Sequence, residues 1–222
     1  MKKLLLALVA GSLSLAAQAQ NEETLKATAG DIAVEANVGI TNGNVNLSNA
    51  LNQIKGRYFL SDDMALRLGF NVSRQSFSMP GGGIGSTINR SDFMFSINPG
   101  IEKHFAGTNR LSPYIGAELS FAVRSLEEDS ERPDGNYDYT MEGGWTGNQR
   151  GYTSVGVNGV AGMDFYVARH LYVGYELGFG IHFKNEADIE RATSAGVTVT
   201  DGDSSLDLGP RVLNGVRVGF VF

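Results

Sequence analysis

The sequence contains no cysteine and only five prolines, three histidines and one tryptophan among its 222 residues. Without cysteine the chain has no disulfide framework, no cysteine nucleophile and no cysteine-based zinc site. The three histidines, His104, His170 and His182, show no H-x-x-x-H spacing that would indicate a metal site. We therefore expect no catalytic, cofactor-binding or metal-binding residues, no bound cofactor and no enzymatic activity.

Clusters of basic residues are also missing from the sequence. Nucleic acid is therefore an unsuitable partner, because neutralising phosphate requires clustered Lys and Arg. Met1-Lys2-Lys3 precedes an apolar stretch, Leu4 to Ala10, and Ala17-Gln18-Ala19 matches an A-x-A cleavage site. We predict a cleaved signal peptide over residues 1–19 and one domain, without an internal linker, over residues 20–222. Removing Lys2 and Lys3 leaves 16 basic and 24 acidic residues, a formal charge of −8.

Beyond the predicted signal peptide the sequence has no charge-free stretch long enough to span a membrane as a helix. Apolar residues instead recur at every second position, which is typical of two-faced β-strands. The alternating segments cover residues 32–40, 48–59, 64–72, 93–101, 113–123, 155–165, 171–183 and 206–222. Eight segments of about ten residues predict an all-β fold, an eight-stranded antiparallel up-and-down transmembrane β-barrel.

The predicted connections differ in length. Short turns are expected at residues 61–63, 107–109 and 168–170, and long loops at residues 41–47, 78–91, 124–151 and 184–205. Outer-membrane barrels have short turns on the periplasmic side and long loops on the outer side. The pattern therefore predicts a protein of the cell outer membrane, exported through the periplasm, with extracellular loops.

Alternation alone does not say which face of the strands points outward. A soluble lipocalin-like carrier would place the apolar face inside, but an eight-stranded barrel has room for few side chains. The opposite face combines glycines with charged residues, which suits a narrow lumen with buried ion pairs. The charged residues predicted to lie in the lumen are Glu35, Lys55, Arg57, Arg67, Glu102, Glu118, Asp164, Glu176 and Arg217. Aromatic girdles are predicted at Tyr58, Phe105, Phe165, Phe220 and Phe222 on one rim and at Phe93, Phe121, Phe179 and Phe183 on the other.

The chain resembles the small outer-membrane barrels of the OmpA and OmpX type, especially the short, single-domain barrels of the Bacteroidetes. The resemblance is carried by residues 57–67, RYFLSDDMALR, by residues 112–118, SPYIGAE, and by the terminal Phe222. It implies that the barrel-assembly machinery recognises the C-terminal strand ending at Phe222. The family has no shared catalytic motif, and we expect no peptidoglycan-binding domain, so that the OmpA-like role of anchoring to the cell wall has nowhere to reside.

We therefore expect a plugged polar lumen and a structural or surface-interaction role in adhesion or envelope integrity, with the protein acting as a monomer. The alternative is a narrow passive pore for ions or small solutes. A lipid A-modifying enzyme is a weaker alternative, because it needs a Ser–His pair on the lipid-facing side. The expected partners are outer-membrane lipids, lipopolysaccharide and a surface protein bound through loop 124–151. That loop contains Tyr137, Tyr139 and Trp145, residue types common in binding hot spots. Its acidic residues are oxygen donors suitable for divalent cations, although a solvated acidic loop is the default interpretation.

Overall fold

The computed structural model describes residues 25–41, 44–46, 54–132, 138–211 and 216–222. The predicted signal peptide, residues 1–19, lies outside this part of the chain. The first strands are β1 (Ile32–Thr41), β2 (Asn44–Asn46), β3 (Ile54–Ser61), β4 (Met64–Pro80), β5 (Thr87–His104) and β6 (Leu111–Glu131). The remaining strands are β7 (Tyr139–Glu142), β8 (Gly144–Trp145), β9 (Gln149–Arg150), β10 (Tyr152–Ala168), β11 (Leu171–Glu186), β12 (Ile189–Thr193), β13 (Gly196–Thr200), β14 (Ser204–Arg211) and β15 (Val216–Val221). None of the described residues forms a helix that is long and apolar enough to cross a membrane.

The main strands close into a barrel. The antiparallel order β10, β11, β15, β1, β3, β4, β5, β6 returns to its start, because β6 also pairs with β10. β14 and β15 pair with two successive parts of the same neighbour, β11. In the same way, β2 and β3 pair with two successive parts of β1. If β14 is counted with β15 and β2 with β3, the described residues form eight strand positions around the barrel, each of which we call a stave. The predicted eight-stranded antiparallel barrel is confirmed.

The two ends of the barrel differ, as the sequence predicts. At one end β3 and β4 are joined by Asp62-Asp63, and β10 and β11 by Arg169-His170. We call this the short-turn side and the other end the long-loop side. The predicted start of the second segment near residue 48 and residues 212–215 of the eighth segment lie outside the described residues.

The predicted long loops are mostly strands, so their boundaries are wrong. β4 and β5 extend through most of 78–91, β6 to β9 through much of 124–151, and β11 to β14 through most of 184–205. β1 and β2 occupy much of 41–47 as well. The Gly, Ser, Asp and Glu content of these segments suggested loops. Strand pairing uses the backbone, however, and polar strands are stable where both faces meet water.

The apolar face of the strands points outward. Leu66 and Leu177 are 45% and 48% exposed, whereas Arg67 and Glu118 are 2% and 5% exposed. All nine predicted girdle aromatics are exposed on the outer surface. The alternative of a soluble barrel with an apolar interior is therefore wrong, since the apolar side chains here face the surroundings.

The apolar band of the outer surface ends at one level on adjacent strands. The first polar outward-facing residues on the long-loop side are Arg74, Ser125, Thr153 and Asn185. The strand register shows that these residues lie at nearly the same height. Phe93 pairs with both Arg74 and Ser125, and Thr153 pairs with both Val123 and Asn185. Below this level β5 presents apolar residues from Phe93 to Ile101, close to the nine to eleven residues that cross a bilayer as a tilted strand.

The sequence predicts a polar lumen, but part of the lumen is apolar. On the short-turn side inward-facing Phe59, Tyr166 and Val221 are almost fully buried and pack with Ala27 of the segment before β1. That segment is held in place because the Gly30 amide donates to the Phe59 carbonyl at 2.8 Å. An apolar seal therefore lies below the charged part of the lumen.

Glycine makes room for large lumen side chains, as predicted. The Tyr114 ring lies over Gly162 and the Tyr172 ring over Gly219. A methyl group added at Gly219 would lie 2.0 Å from Cζ of Tyr172. The Tyr172 hydroxyl donates to Glu35 at 2.9 Å, which fixes the ring in this position.

We expect Gly219→Ala to lower the free energy of unfolding by about 1–3 kcal/mol, because overpacking in a fixed core forces neighbouring groups to move. Urea-induced unfolding from lipid vesicles measures this change. Gly56→Ala is the matched control, since nothing lies within 4 Å of the added methyl group. Equal stability of the two variants would contradict the close packing of Tyr172 on Gly219.

Candidate functional site

The most distinctive part of the barrel is a set of nine buried charged side chains in the lumen. We call this set the ion-pair belt, and its members are Glu35, Lys55, Arg57, Arg67, Glu102, Glu118, Asp164, Glu176 and Arg217. Each is at most 5% exposed, and together they come from β1, β3, β4, β5, β6, β10, β11 and β15. The sequence predicted every member of the belt from strand alternation alone, and the structure confirms them.

Glu176 on β11 is one centre of the belt. Its carboxylate accepts hydrogen bonds from Lys55 Nζ at 3.0 Å and from both terminal nitrogens of Arg67 at 2.9 Å. The hydroxyl of Tyr114 donates to it at 2.6 Å, and Arg217 Nη1 lies 3.4 Å away. Arg67 extends the contacts, reaching Glu102 at 2.7 Å and Glu118 at 3.1 Å. One carboxylate thus joins three cations from three different strands.

Arg57 and Arg217 form the second centre. Arg57 bonds to Asp164 and lies 3.2 Å from Glu102. Arg217 bonds to Glu35 at 2.8 Å and to Asp164 at 3.1 Å. Sequence reasoning did not find the tyrosine between them: the Arg57 guanidinium lies 4.8 Å from the ring centroid of Tyr114, whose hydroxyl also contacts Arg217. Such cation–π contacts add to ion pairing where both groups are removed from water.

The belt fills the centre of the lumen. Its guanidinium and carboxylate groups meet across the barrel axis, since Arg67 on β4 contacts Glu176 on β11. On the long-loop side lies a polar cavity of about 390 Å³, which we call the upper vestibule. On the short-turn side lies a cavity of about 440 Å³, the lower vestibule. Belt and apolar seal together separate the two.

Two of the histidines are buried and have defined polar partners. His104 is buried, its Nδ1 lying 2.9 Å from Ser112 Oγ and its Nε2 3.3 Å from Glu102 of the belt. His182 is buried in the upper vestibule, where Nε2 lies 2.7 Å from Asn158 Oδ1. Both point into the lumen, away from the lipid-facing position that a lipid A-modifying enzyme needs.

A second cluster lies above the apolar band on the long-loop side. We call it the cap, formed by Arg90, Glu128, Tyr139, Trp145 and Thr146. Glu128 is fully buried and accepts hydrogen bonds from Arg90 Nε at 2.6 Å and the Tyr139 hydroxyl at 2.6 Å. Thr146 contributes its amide at 3.2 Å and its hydroxyl. Burial alone would raise the pKa of Glu128, but these hydrogen bonds hold that pKa below its ordinary value.

Trp145 is only 7% exposed within the cap. Its indole nitrogen donates to the Glu127 carbonyl at 2.9 Å, and the Phe77 ring packs edge-on at 5.7 Å. Trp145, the largest of the aromatic residues expected to bind a partner through loop 124–151, is therefore not available at the surface. Its buried indole stabilises the loop itself. Tyr137 lies outside the described residues. Among the residues that the structure describes, no three His, Asp or Glu side chains are grouped as a metal site.

Glu176→Gln is expected to lower the free energy of unfolding by about 3 kcal/mol, because removing one charge from a buried network leaves its partners uncompensated. The measurement is urea unfolding from vesicles. Glu186→Gln, at a partly exposed position that contacts Lys184, serves as the control and should change stability little. A belt that contributes no more than this surface pair would give the same result for both variants.

Acid is expected to loosen the cap before it unfolds the barrel. The pKa of Glu128 is depressed in the folded state, so its contribution to stability is present at neutral pH and is lost as the pH falls through the folded pKa. Trp145 is the only tryptophan in the chain, so its emission should shift to longer wavelength over that range. Glu128→Gln should show the shifted emission already at neutral pH. A wild-type spectrum unchanged down to about pH 2, below the ordinary carboxylate range, would contradict this assignment.

Comparison with known proteins gives a family match over part of the chain. Residues 85–188, just under half of the chain, match the model of the putative OmpA-OmpF-like porin family. Comparison with curated proteins gave no significant match.

Similar solved structures include the N-terminal β-barrel domain of Pseudomonas aeruginosa OprF, at 15% identity and a TM-score of 0.43, covering 88% of this chain and 100% of that chain. The outer membrane protein OprG of Pseudomonas aeruginosa shows 13% identity and a TM-score of 0.43, covering 90% of this chain and 99% of that one. Ail, the attachment invasion locus protein of Yersinia pestis, shows 13% identity and a TM-score of 0.36, covering 87% and 99%. By its closed strand order, its apolar outer surface and the family match over residues 85–188, the chain is similar to the OmpA-like outer-membrane barrels, as the sequence predicted.

Proposed function

We propose that this protein is an outer-membrane barrel with a closed lumen and a surface-interaction role on its long-loop side. In this proposal residues 1–19 direct export, the short turns face the periplasm and the long-loop side is extracellular. The apolar band contacts outer-membrane lipids and lipopolysaccharide, and the strand ending at Phe222 engages the assembly machinery. The buried ion-pair belt supports a structural lumen, because paired charges filling so narrow a barrel leave no open path.

The observation that carries the interaction role is the free edge of β13. The barrel sheet continues beyond the apolar band through β6, β7, β12 and β13, and among the described strands β13 pairs only with β12. All five residues of β13 are exposed, including Val197 at 61% and Val199 at 56%. An exposed edge without Lys or Pro has free backbone groups that pair with a strand from another chain.

The charge around this edge indicates the kind of partner. β13 itself carries no charge, but Glu190 pairs with Val199, Asp188 precedes β12, and Asp201 and Asp203 follow β13. Arg191 is the basic residue of β12. An extended, basic segment of another surface protein would therefore satisfy both the free backbone groups and the local excess of negative charge.

Lysine at the free edge should abolish strand addition, because Lys on an edge strand disfavours pairing with basic partners. The probe is a decapeptide of alternating Val and Lys, with a Pro-containing peptide of equal charge as the control for non-specific attraction. We expect the wild-type protein in nanodiscs to bind the first peptide at least tenfold more tightly than the second. The double variant Val197→Lys, Val199→Lys should lose that difference, whereas Ile84→Lys, at a fully exposed turn residue far along the sheet, should keep it. Equal binding of both peptides to the wild type would contradict the edge as a docking strand.

A narrow passive pore is the second candidate function, and the two vestibules are the observation that favours it. They open on opposite ends of the barrel, so only the belt and the apolar seal separate them. We expect the refolded wild-type protein to give no discrete openings in a planar bilayer at neutral pH. Reproducible single-channel steps would favour the pore and contradict the closed lumen, without bearing on the β13 edge.

A further inference from the structure

The upper vestibule is lined by two rows of side chains that run across neighbouring strands. Strand register defines the lower row as Asn98, Ser120, His182 and Asp207, and the upper row as Ser96, Ala122, Ser154 and Lys184. The rows are two residues apart on each strand, which is about 6.6 Å. Both rows lie above the ion-pair belt, so the vestibule ends at the belt and opens on the long-loop side.

Four side chains of these rows have polar groups that the protein leaves unused. Asn98 is only 5% exposed, and among the described residues its side-chain amide has no hydrogen-bond partner. The hydroxyls of Ser96, Ser120 and Ser154 likewise make no hydrogen bond within the described part of the chain. Buried polar groups of folded proteins nearly always have a partner. Four such groups around one cavity therefore indicate that a molecule inside the cavity supplies their partners.

The floor of the vestibule, in contrast, is already hydrogen-bonded within the protein. Asn158 donates its side-chain amide to Glu118 at 3.2 Å, so its side-chain oxygen accepts from His182 Nε2 at 2.7 Å. The other carboxylate oxygen of Glu118 lies 3.1 Å from Arg67 of the ion-pair belt. These contacts close the vestibule from below, and a ligand does not have to satisfy them.

Charged groups around the two rows also have partners inside the protein. The Lys184 ammonium lies 2.9 Å from Glu186, and Arg67 contacts three carboxylates of the belt, Glu118 among them. A ligand carboxylate or phosphate would have to displace one of these pairs, and Asp207 would repel it. A cation would find Glu118 already paired with Arg67. The vestibule therefore favours an uncharged ligand.

We propose that the upper vestibule binds an uncharged sugar of monosaccharide size, with Asn98 and the three serines as its hydrogen-bond partners. Each sugar hydroxyl donates and accepts hydrogen bonds, and serine hydroxyls and the Asn98 amide do the same. A pyranose ring with its hydroxyls spans the separation of the two rows. The cavity of about 390 Å³ is within the size range of small-molecule sites. Above the rows, Met94 and Tyr152 add apolar surface for the C–H face of the ring.

The test uses the lack of native cysteine. Ala122→Cys places a thiol between Ser96 and Ser154 and leaves every polar group of both rows in place. With the protein in nanodiscs, we expect methyl glucoside, methyl galactoside or methyl mannoside, each tested alone, to slow labelling of this thiol by N-ethylmaleimide. The measured quantity is the sugar concentration that halves the labelling rate. Ser125→Cys, on the outward face of the same strand, is the control and should react at the same rate with and without sugar.

Asn98→Leu and Ser120→Ala, each combined with Ala122→Cys, remove one sugar-binding group apiece. Each should raise the half-protecting concentration of the sugar by about tenfold, the effect of losing one hydrogen bond. Asn98→Leu should leave stability to urea unchanged or higher, because the amide that it removes has no partner in the described part of the chain. Methyl glucuronide should protect poorly, since its carboxylate would be repelled by Asp207.

Failure of all three sugars to protect Ala122→Cys, as expected if the vestibule holds water alone, would overturn the proposal. A thiol that N-ethylmaleimide does not reach without sugar would overturn it as well, and so would equal protection by glycine, which would indicate a site for zwitterions. Coupling the protecting sugar to albumin then separates two sources of the ligand. Retained protection would support the terminal sugar of a glycan, and lost protection a free monosaccharide. None of these results bears on the β13 edge.

Discussion

The structure depends on one requirement, that backbone N–H and C=O groups find partners within the barrel wherever the surroundings are hydrocarbon. An open sheet cannot meet this requirement, whereas a sheet closed by the pairing of β6 with β10 can. Closure then fixes the diameter, and a barrel of eight staves leaves an interior that only side chains fill. The glycine positions beneath Tyr114 and Tyr172 and the pairing of nine charged groups follow from this narrow interior. At Pro99 the ladder between β5 and β6 is interrupted, because proline has no amide hydrogen to donate.

Strand alternation was sufficient to predict the spanning part of this fold. Period-two patterning assigns each residue to a face, and closure in a membrane then decides which face is inside. Leu66 and Arg67, neighbours in sequence, are therefore placed correctly without any knowledge of the fold. Alternation says nothing about which charges meet, because strands far apart in sequence supply the partners. Alternation with the outward-facing Ile115 places Tyr114 on the inner face, but it does not show that Tyr114 lies between Arg57 and Arg217.

The region beyond the apolar band was predicted less well, for a different physical reason. Above the membrane both faces of a strand meet water, so the hydrophobic pattern that marks a strand disappears while backbone pairing continues. Residues 124–131 show this: Glu127, Asp129 and Glu131 suggested a loop, but they belong to β6. Glu128 is buried in the same strand because Arg90, Tyr139 and Thr146 come to it from elsewhere. Trp145 was expected to serve recognition and instead packs within the cap.

The contact between Glu35 and Arg217 has a consequence for biogenesis. It joins residues 182 positions apart, the first stave to the last. Until the C-terminal stave arrives, Glu35 lacks this cation and Asp164 lacks one of its two. Partly assembled chains therefore carry uncompensated charge that the closed barrel pairs, and such long-range contacts form slowly. Pairing of the first strand with the last therefore neutralises buried charge in the same step that removes the two open edges of the sheet.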